Sequence, residues 1–390
     1  MSGSIFLPLV LILRAASFGL GTGAFQEQPN ASFNFEGVDA FWSIVSVLEA
    51  DREPTESEWD AFFEAPGYAR LTQEFGRGYF MTALRAVFMP SRSQLADEMV
   101  SDYAERGGFL GWYTPLVLEG FRDASEDRDW LNGRIHELKS YPYLERAADL
   151  ALEYLPESTV SDYPEVNFVV FSDSRGYSPL IMGLAGNDDP PAAEQECFAR
   201  QGQDRHWPFV LLMAHESFHR YRGKVQEIEM PETGHPDYAI LWTLDQMENE
   251  GIGDLIHRKR LYYGDGCQAG SGQALGMRRE QTAQPATIRI MDRIFSERAD
   301  DPGLSDILGA QFQGFIPQSG HPTGFYMANV IEEELGAGAL KDVVRNPFRF
   351  FALYNRAAAV RGSAPVLSSK AMTYLESLEE RYTKGRIIPE

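Results

Sequence analysis

His215, Glu216 and His219 form the pattern H-E-x-x-H within the apolar run Phe209-Val-Leu-Leu-Met-Ala-His-Glu-Ser-Phe-His-Arg-Tyr221. The run reads as a buried helix, on which positions i and i+4 share one face about a turn apart, so both imidazoles can meet one metal ion. Unpaired histidine and glutamate would be costly to keep in such a helix. A zinc site that keeps a water needs three protein ligands, and two histidines one turn apart supply two of them. Glu216, beside the first histidine, is placed to take a proton from that water. The pentapeptide is short enough to recur by chance, so its context has to decide between a metal site and a core helix with satisfied polar groups.

A second helical pattern, Thr243-Leu-Asp-Gln-Met-Glu-Asn-Glu-Gly-Ile-Gly-Asp-Leu-Ile256, carries Glu248, Glu250 and Asp254. Its Asn249-Glu-Gly-Ile-Gly-Asp254 resembles the third-ligand motif of gluzincins, the thermolysin-like and related metallopeptidases. In that pattern a glutamate binds zinc and an aspartate four residues later supports a ligand histidine. Glu250 and Asp254 share a helical face, so one can reach the metal while the other accepts a ring N–H from His215 or His219. Glu248 is the rival ligand, but Ile252 stands four residues beyond it and offers no such support. Gly251 and Gly253, each costing up to about 1 kcal/mol in a helix, are expected where the two ligand helices approach closely. The stretch between His219 and Glu250, with Gly223, Pro231, Gly234, His235 and Pro236, is longer than in the better-known gluzincins and reads as an inserted loop.

Two further segments carry a closer resemblance: Glu58-Trp-Asp-Ala-Phe-Phe-Glu-Ala-Pro-Gly-Tyr68 near the front, and Gly320-His-Pro-Thr-Gly-Phe-Tyr-Met-Ala-Asn-Val-Ile-Glu-Glu-Glu-Leu-Gly336 followed by Asn346-Pro-Phe-Arg-Phe-Phe-Ala-Leu-Tyr-Asn355. In this order, with H-E-x-x-H and Glu-Gly between them, they resemble bacterial zinc-dependent peptidases known mainly as domains of unknown function. The resemblance spans most of the chain and implies a zincin-like metallopeptidase fold. It also implies a Zn²⁺ site of His215, His219 and Glu250, with Asp254 behind it, and a peptide or protein substrate. His321 and Tyr326 open the family-like Gly-x-x-Met-Ala helix and are the candidates for stabilising an oxyanion. His235 and Tyr238 are their rivals.

The expected chemistry is hydrolysis of an amide, with Glu216 as general base and then as proton donor to the leaving amine. Two alternatives stand beside it: a non-catalytic metal-binding or interaction module on the same fold, and a zinc hydrolase of a small non-peptide amide. Glu216 speaks against the first, because a purely structural site does not need it. The 390 residues, 44% of them apolar, suffice for a large core, and 57 acidic against 35 basic residues give a formal charge of -22. That charge excludes nucleic acid and anionic membrane surfaces as natural partners.

Along the chain, helical patterns cover Val38–Glu49, Glu56–Glu64, Leu71–Val87, Ser93–Arg106 and Tyr143–Tyr154, with Thr55-Glu-Ser-Glu58 as a capping box. Pro164–Phe171 and Ser178–Leu184 read as strands immediately before the H-E-x-x-H helix, the second as an edge strand beside the cleft. Gly186–Gln203 and Tyr263–Gln273 read as loops. Pro322–Leu335, Pro347–Val360 and Ser369–Tyr382 read as helices. The expected class is therefore α+β, predominantly helical, with a helical N-terminal region over residues 25–155 and a zincin-like catalytic domain over residues 156–390.

Ile5-Phe-Leu-Pro-Leu-Val-Leu-Ile-Leu13 is too short to span a membrane as a helix. Thr22-Gly-Ala24 offers a cleavage site before Phe25, so residues 1–24 read as a signal peptide and the protein as exported, periplasmic or extracellular. The usual basic residues ahead of the apolar run are missing, which leaves a buried N-terminal segment as the alternative. Cys197 and Cys267 flank the two ligand helices; in an exported protein a disulfide can tie these segments together, whereas in the cytoplasm both are ordinary thiols, and the sequence leaves the two open.

Overall fold

Gly67 and Tyr68, from the front motif, lie against the middle of a small parallel sheet. The structure is a computed structural model. It describes residues 33–383 except 107–108, 160–164, 173, 175, 177–178, 185–189, 301–311, 313–315 and 317–319. The expected signal peptide lies outside the described residues. The sheet runs β1 (Phe33–Asn34), β2 (Val166–Val169), β3 (Leu180–Gly183), with both pairings parallel and Phe33, Val166 and Leu180 in register. Both expected strands are present in shortened form, and β3 is an edge. Every residue of β2 is buried. The Tyr68 hydroxyl donates to the Val170 carbonyl at 2.8 Å, and a Cβ at Gly67, whose φ is 88°, would fall 2.5 Å from Val169 Cγ1. Pro66-Gly67-Tyr68 is thus a structural clamp on the strand that precedes the H-E-x-x-H helix.

Helices α1 (Glu36–Glu49), α2 (Glu56–Glu64), α3 (Tyr68–Phe75), α4 (Arg77–Phe88), α5 (Leu95–Arg106), α6 (Phe109–Glu126), α7 (Arg128–Leu138) and α8 (Tyr143–Leu152) precede β2. Apolar burial drives their packing: Phe41, Phe62, Phe80, Phe121 and Phe171 are all fully buried. The capping box forms as expected. Thr55 Oγ1 accepts from the Glu58 N–H, and the Glu58 carboxylate accepts from the Thr55 N–H at 2.7 Å. The expected single helix Leu71–Val87 is two, because Gly76, with φ 84°, takes a conformation that other residues rarely adopt and turns the chain there. Helices α6 and α7 were not expected, and Pro115 sits inside α6.

Behind the sheet come α9 (Ala192–Arg200), α10 (Trp207–Val225), α11 (Tyr238–Ile256), α12 (Arg258–Tyr262), α13 (Gly272–Asp300), α14 (His321–Leu335), α15 (Ala337–Lys341), α16 (Pro347–Arg361) and α17 (Ser369–Tyr382). Helix α9 corrects the expectation of a loop over Gly186–Gln203, where the prolines and acidic residues end up marking only the start of a helix at Ala192. Ala31–Glu390 forms one compact unit. Its composition of secondary structure, mostly helix with one small sheet, fits the α+β class. Among the described residues no helix is long and apolar enough to cross a membrane.

Three helices position the site: α10 packs on α8, β3 and α11, and α11 packs on α14. The last contact is a backbone approach. A Cβ at Gly251 would lie 2.4 Å from the Gly324 carbonyl carbon, and one at Gly324 would lie 2.0 Å from the Met247 oxygen. Gly253 faces the His215 ring, where a Cβ would lie 2.8 Å from Cε1. The two glycines after the ligand position therefore serve different neighbours. Gly253 admits the ligand helix as expected, while Gly251 admits α14.

Cys197 in α9 and Cys267 after α12 form a disulfide across a sequence separation of 70 residues, which ties together the segments flanking the ligand helices and answers what the sequence left open. At the α11–α14 contact the backbone atoms opposite Gly251 cannot rotate away. Gly251→Ala is therefore expected to lower stability by about 1–3 kcal/mol, read by urea denaturation; an unchanged midpoint would contradict the backbone contact.

Candidate metal centre

On α10, His215, Glu216 and His219 project from one side of a helix that the apolar run buries against α8 and the sheet. On α11, the pattern Asn249-Glu250 followed by Asp254 turns toward them. The two helices bring three donor atoms together: His215 Nε2 lies 3.2 Å from Glu250 Oε2, His219 Nε2 lies 3.1 Å from the same oxygen, and the two Nε2 atoms are 2.8 Å apart. Ligand atoms of His215, His219 and Glu250 all lie within 4.8 Å of one another, the one such group of histidine, cysteine or acidic residues among the described residues. Two nitrogens and a carboxylate oxygen converging in a buried spot are a donor set suited to zinc.

Each histidine is also held from behind. His219 Nδ1 lies 2.9 Å from Asn249 Oδ1. His215 Nδ1 faces Asp254 Oδ1 at 3.7 Å. Such partners fix which ring nitrogen carries the proton and turn the other toward the metal. Asp254 is fully buried, and Arg258, one turn further on, places Nε 3.1 Å from its Oδ1. Burial by itself would raise the Asp254 carboxyl; Arg258 and His321 outweigh it and hold the carboxyl below its ordinary value. Burial opposes charge on Glu250 too, but the charges at His219 and His321 keep it well below the usual carboxylate range. Burial would lower His219, yet Glu250 and Glu216 push it up to about 9. The Glu250 and Asp254 carboxylates thus stay charged inside the buried cluster, leaving negative charge where a cation would sit.

Glu216 is buried on the same face as His219 and acts on its charge. A Cβ at Gly176 would meet His219 Cβ at 2.6 Å and the Glu216 carbonyl at 2.9 Å, so Gly176 lies directly on this part of α10. Glu248 is not available as a ligand. It is fully buried and its two carboxylate oxygens accept from Arg222 at 3.1 and 2.8 Å, beside a further Arg222–Asp245 pair.

His321, the first residue of α14, stands at the rim of the cluster. Its Nε2 is 3.3 Å from Glu250 Oε2 and its Nδ1 is 3.1 Å from Asp254 Oδ2. It does not belong to the mutually close trio. Tyr326, expected beside it, is not brought into the site. Five residues along a helix turn a side chain by about 140°, and Tyr326 instead neighbours Tyr354, Arg361 and Arg289. The rival His235 sits away as well, packed edge-on to Tyr382 with Nδ1 accepting the Asp237 N–H at 3.1 Å. Sequence reasoning missed Asn249 and His257. Asn249 was legible as the neighbour of the ligand position. His257, with its ring 5.9 Å from that of His215, carries no pattern; burial and the His215 charge push it down to about 3, so it stays neutral.

Within a mainly helical fold, H-E-x-x-H and a downstream glutamate thus converge on a donor set of two histidines and one carboxylate. The chain belongs to the family described as "Putative zinc dependent peptidase (DUF5700)", whose profile matches residues 59–361. That description makes zinc the cofactor. No curated protein matches the chain, and no solved structure does.

The two acidic neighbours on α11 separate cleanly by experiment. Glu250→Ala is expected to lose stoichiometric zinc and keep its fold. Glu248→Ala is expected to keep zinc but lose about 3 kcal/mol, because it leaves Arg222 buried with one partner fewer. Metal analysis beside denaturation reads both, and zinc loss from the Glu248 variant alone would reverse the assignment.

Proposed function

We propose that the protein is a zinc peptidase of zincin-like architecture, in which His215, His219 and Glu250 hold the metal and Glu216 is the general base. The observation that carries this reading is the convergence of both Nε2 atoms and Glu250 Oε2, with Glu216 on the adjacent turn. Zinc, when bound, supplies the Lewis acidity that lets water act as a nucleophile near neutral pH. Glu216 takes a proton from the attacking water as the new C–O bond forms at the amide carbonyl. It then delivers that proton to the leaving nitrogen as the C–N bond breaks, so no other acid is needed for turnover. His321, as an imidazolium that gives Nδ1–H to Asp254, donates Nε2–H to the developing oxyanion from the rim, outside the ligand trio.

Substrate orientation follows from the sheet. β3 is an edge strand packed on α10, and an extended peptide adding to that edge would run past the metal helix through main-chain hydrogen bonds. Glu216→Gln tests the chemistry. It should keep zinc and lose hydrolysis of a quenched-fluorescent peptide library by about 10²–10⁴-fold. Undiminished hydrolysis would remove Glu216 from the mechanism, and a zinc-loaded wild type that cleaves small amides but no peptide would favour the alternative substrate class.

The same reading places the protein outside the cytoplasm. The Cys197–Cys267 disulfide suits an oxidising compartment, and residues 5–24 have the apolar run and small-residue end of a signal peptide. Mass spectrometry of protein expressed from the full chain is expected to find a mature N-terminus at Phe25. Retention of residues 1–24 in protein recovered from the cytoplasm would contradict export.

A further inference from the structure

We infer that Asp254 is a positioning residue for two histidines at once, the zinc ligand His215 and the oxyanion donor His321; the inference rests on the proposed roles of those two rings. The geometry is direct. Asp254 is fully buried at the end of α11, its Oδ2 lies 3.1 Å from His321 Nδ1, and its Oδ1 faces His215 Nδ1 at 3.7 Å. His215 Nδ1 is buried without a hydrogen-bond partner among the described residues, and the acceptor that faces it is Asp254 Oδ1, which Arg258 Nε also meets at 3.1 Å. The two rings stack nearly parallel, 17° apart with centroids 6.0 Å apart, one on either side of the same carboxylate. Arg258 holds that carboxylate in place from the next turn.

The consequence is a mechanical link. A carboxylate that accepts from His321 Nδ1 and faces His215 Nδ1 turns both Nε2 atoms the same way, and both do point at Glu250 Oε2, at 3.2 and 3.3 Å. The rings come from α10 and α14, helices that are far apart in sequence and each packed on α11. Asp254 therefore sets the position of the donor relative to the metal ligands, which is where preorganisation at the oxyanion contributes most. An asparagine at this position can accept from only one ring while presenting N–H to the other. It is therefore the informative substitution, close in shape and wrong in chemistry.

The test uses the zinc-loaded full-length protein, with Asp254→Asn, His321→Ala and the double variant. Zinc affinity is read by competition with a chromophoric chelator, and kcat at saturating zinc is read on a quenched-fluorescent peptide library. ¹⁵N shifts of the His321 ring are read in the wild type and in Asp254→Asn. Asp254→Asn should weaken zinc by about 10–100-fold and also lower kcat when zinc is saturating. His321→Ala should lower kcat and change zinc affinity less than about threefold, because His321 is not a ligand. The double variant should show no lower kcat than His321→Ala alone, because in that background Asp254 has no donor left to position.

In the wild type, Nδ1 of His321 should carry a proton; in Asp254→Asn that preference should be lost. Multiplying kcat losses, or an Asp254→Asn kcat equal to wild type at saturating zinc, would overturn the inference. An unprotonated wild-type His321 Nδ1 would overturn it even if the variants do not fold. A wild type that binds zinc and cleaves no peptide would refute the proposed function instead, and the ring shifts and zinc affinities would still decide the role of Asp254.

Discussion

The close passage of α11 between α10 and α14 is the constraint on which the site depends. Gly253 lets the His215 ring lie on α11, and Gly251 with Gly324 lets α14 touch it backbone to backbone. A side chain at any of these positions would bring its Cβ within 3 Å of the facing atoms and force them apart. Glu250 and Asp254, on the face between the glycines, thereby come within reach of three imidazoles at once. Burial then does the rest: groups that would be solvated on an open surface are here held by one another, with Asn249 behind His219 and Arg258 behind Asp254.

The front half contributes indirectly. Its aromatic core and the Pro66-Gly67-Tyr68 clamp fix β2, β2 fixes β3, and β3 packs on the metal helix. The disulfide and the buried Arg222, Asp245, Glu248 group tie down the flanks of α10 and α11. The molecule surrounds a small polar cluster with a large apolar frame, the arrangement in which fixed charges and dipoles act most strongly.

Much of this was legible in the sequence, for identifiable reasons. The i, i+4 spacings of His215/His219 and Glu250/Asp254 are helical geometry, so they reported which side chains the two helices bring together. Thr55 and Glu58 reported a helix start because a capping box is local chemistry. The preference for Glu250 over Glu248 rested on what stands four residues later, and the structure occupies Glu248 elsewhere, on Arg222. Where the answer was tertiary, pattern gave less. Tyr326 shared a motif with His321 but not a helix face. Gly251 looked like a partner of the metal helix and is a partner of α14. Helix α6 was hidden by the glycines and proline within it and α9 by the prolines just ahead of it, and the placing of Asp254 beside two rings from different helices has no local signature at all.

The central claim is that one zinc ion is held by two imidazoles and one carboxylate, with His321 close by but uncoordinated. Zinc K-edge X-ray absorption on the metal-loaded protein tests it most directly. The account predicts a first shell of nitrogen and oxygen only, with multiple-scattering features of two imidazoles that are unchanged in His321→Ala. A shell containing three imidazoles, sulfur scattering, or a folded protein that takes up no zinc would contradict it.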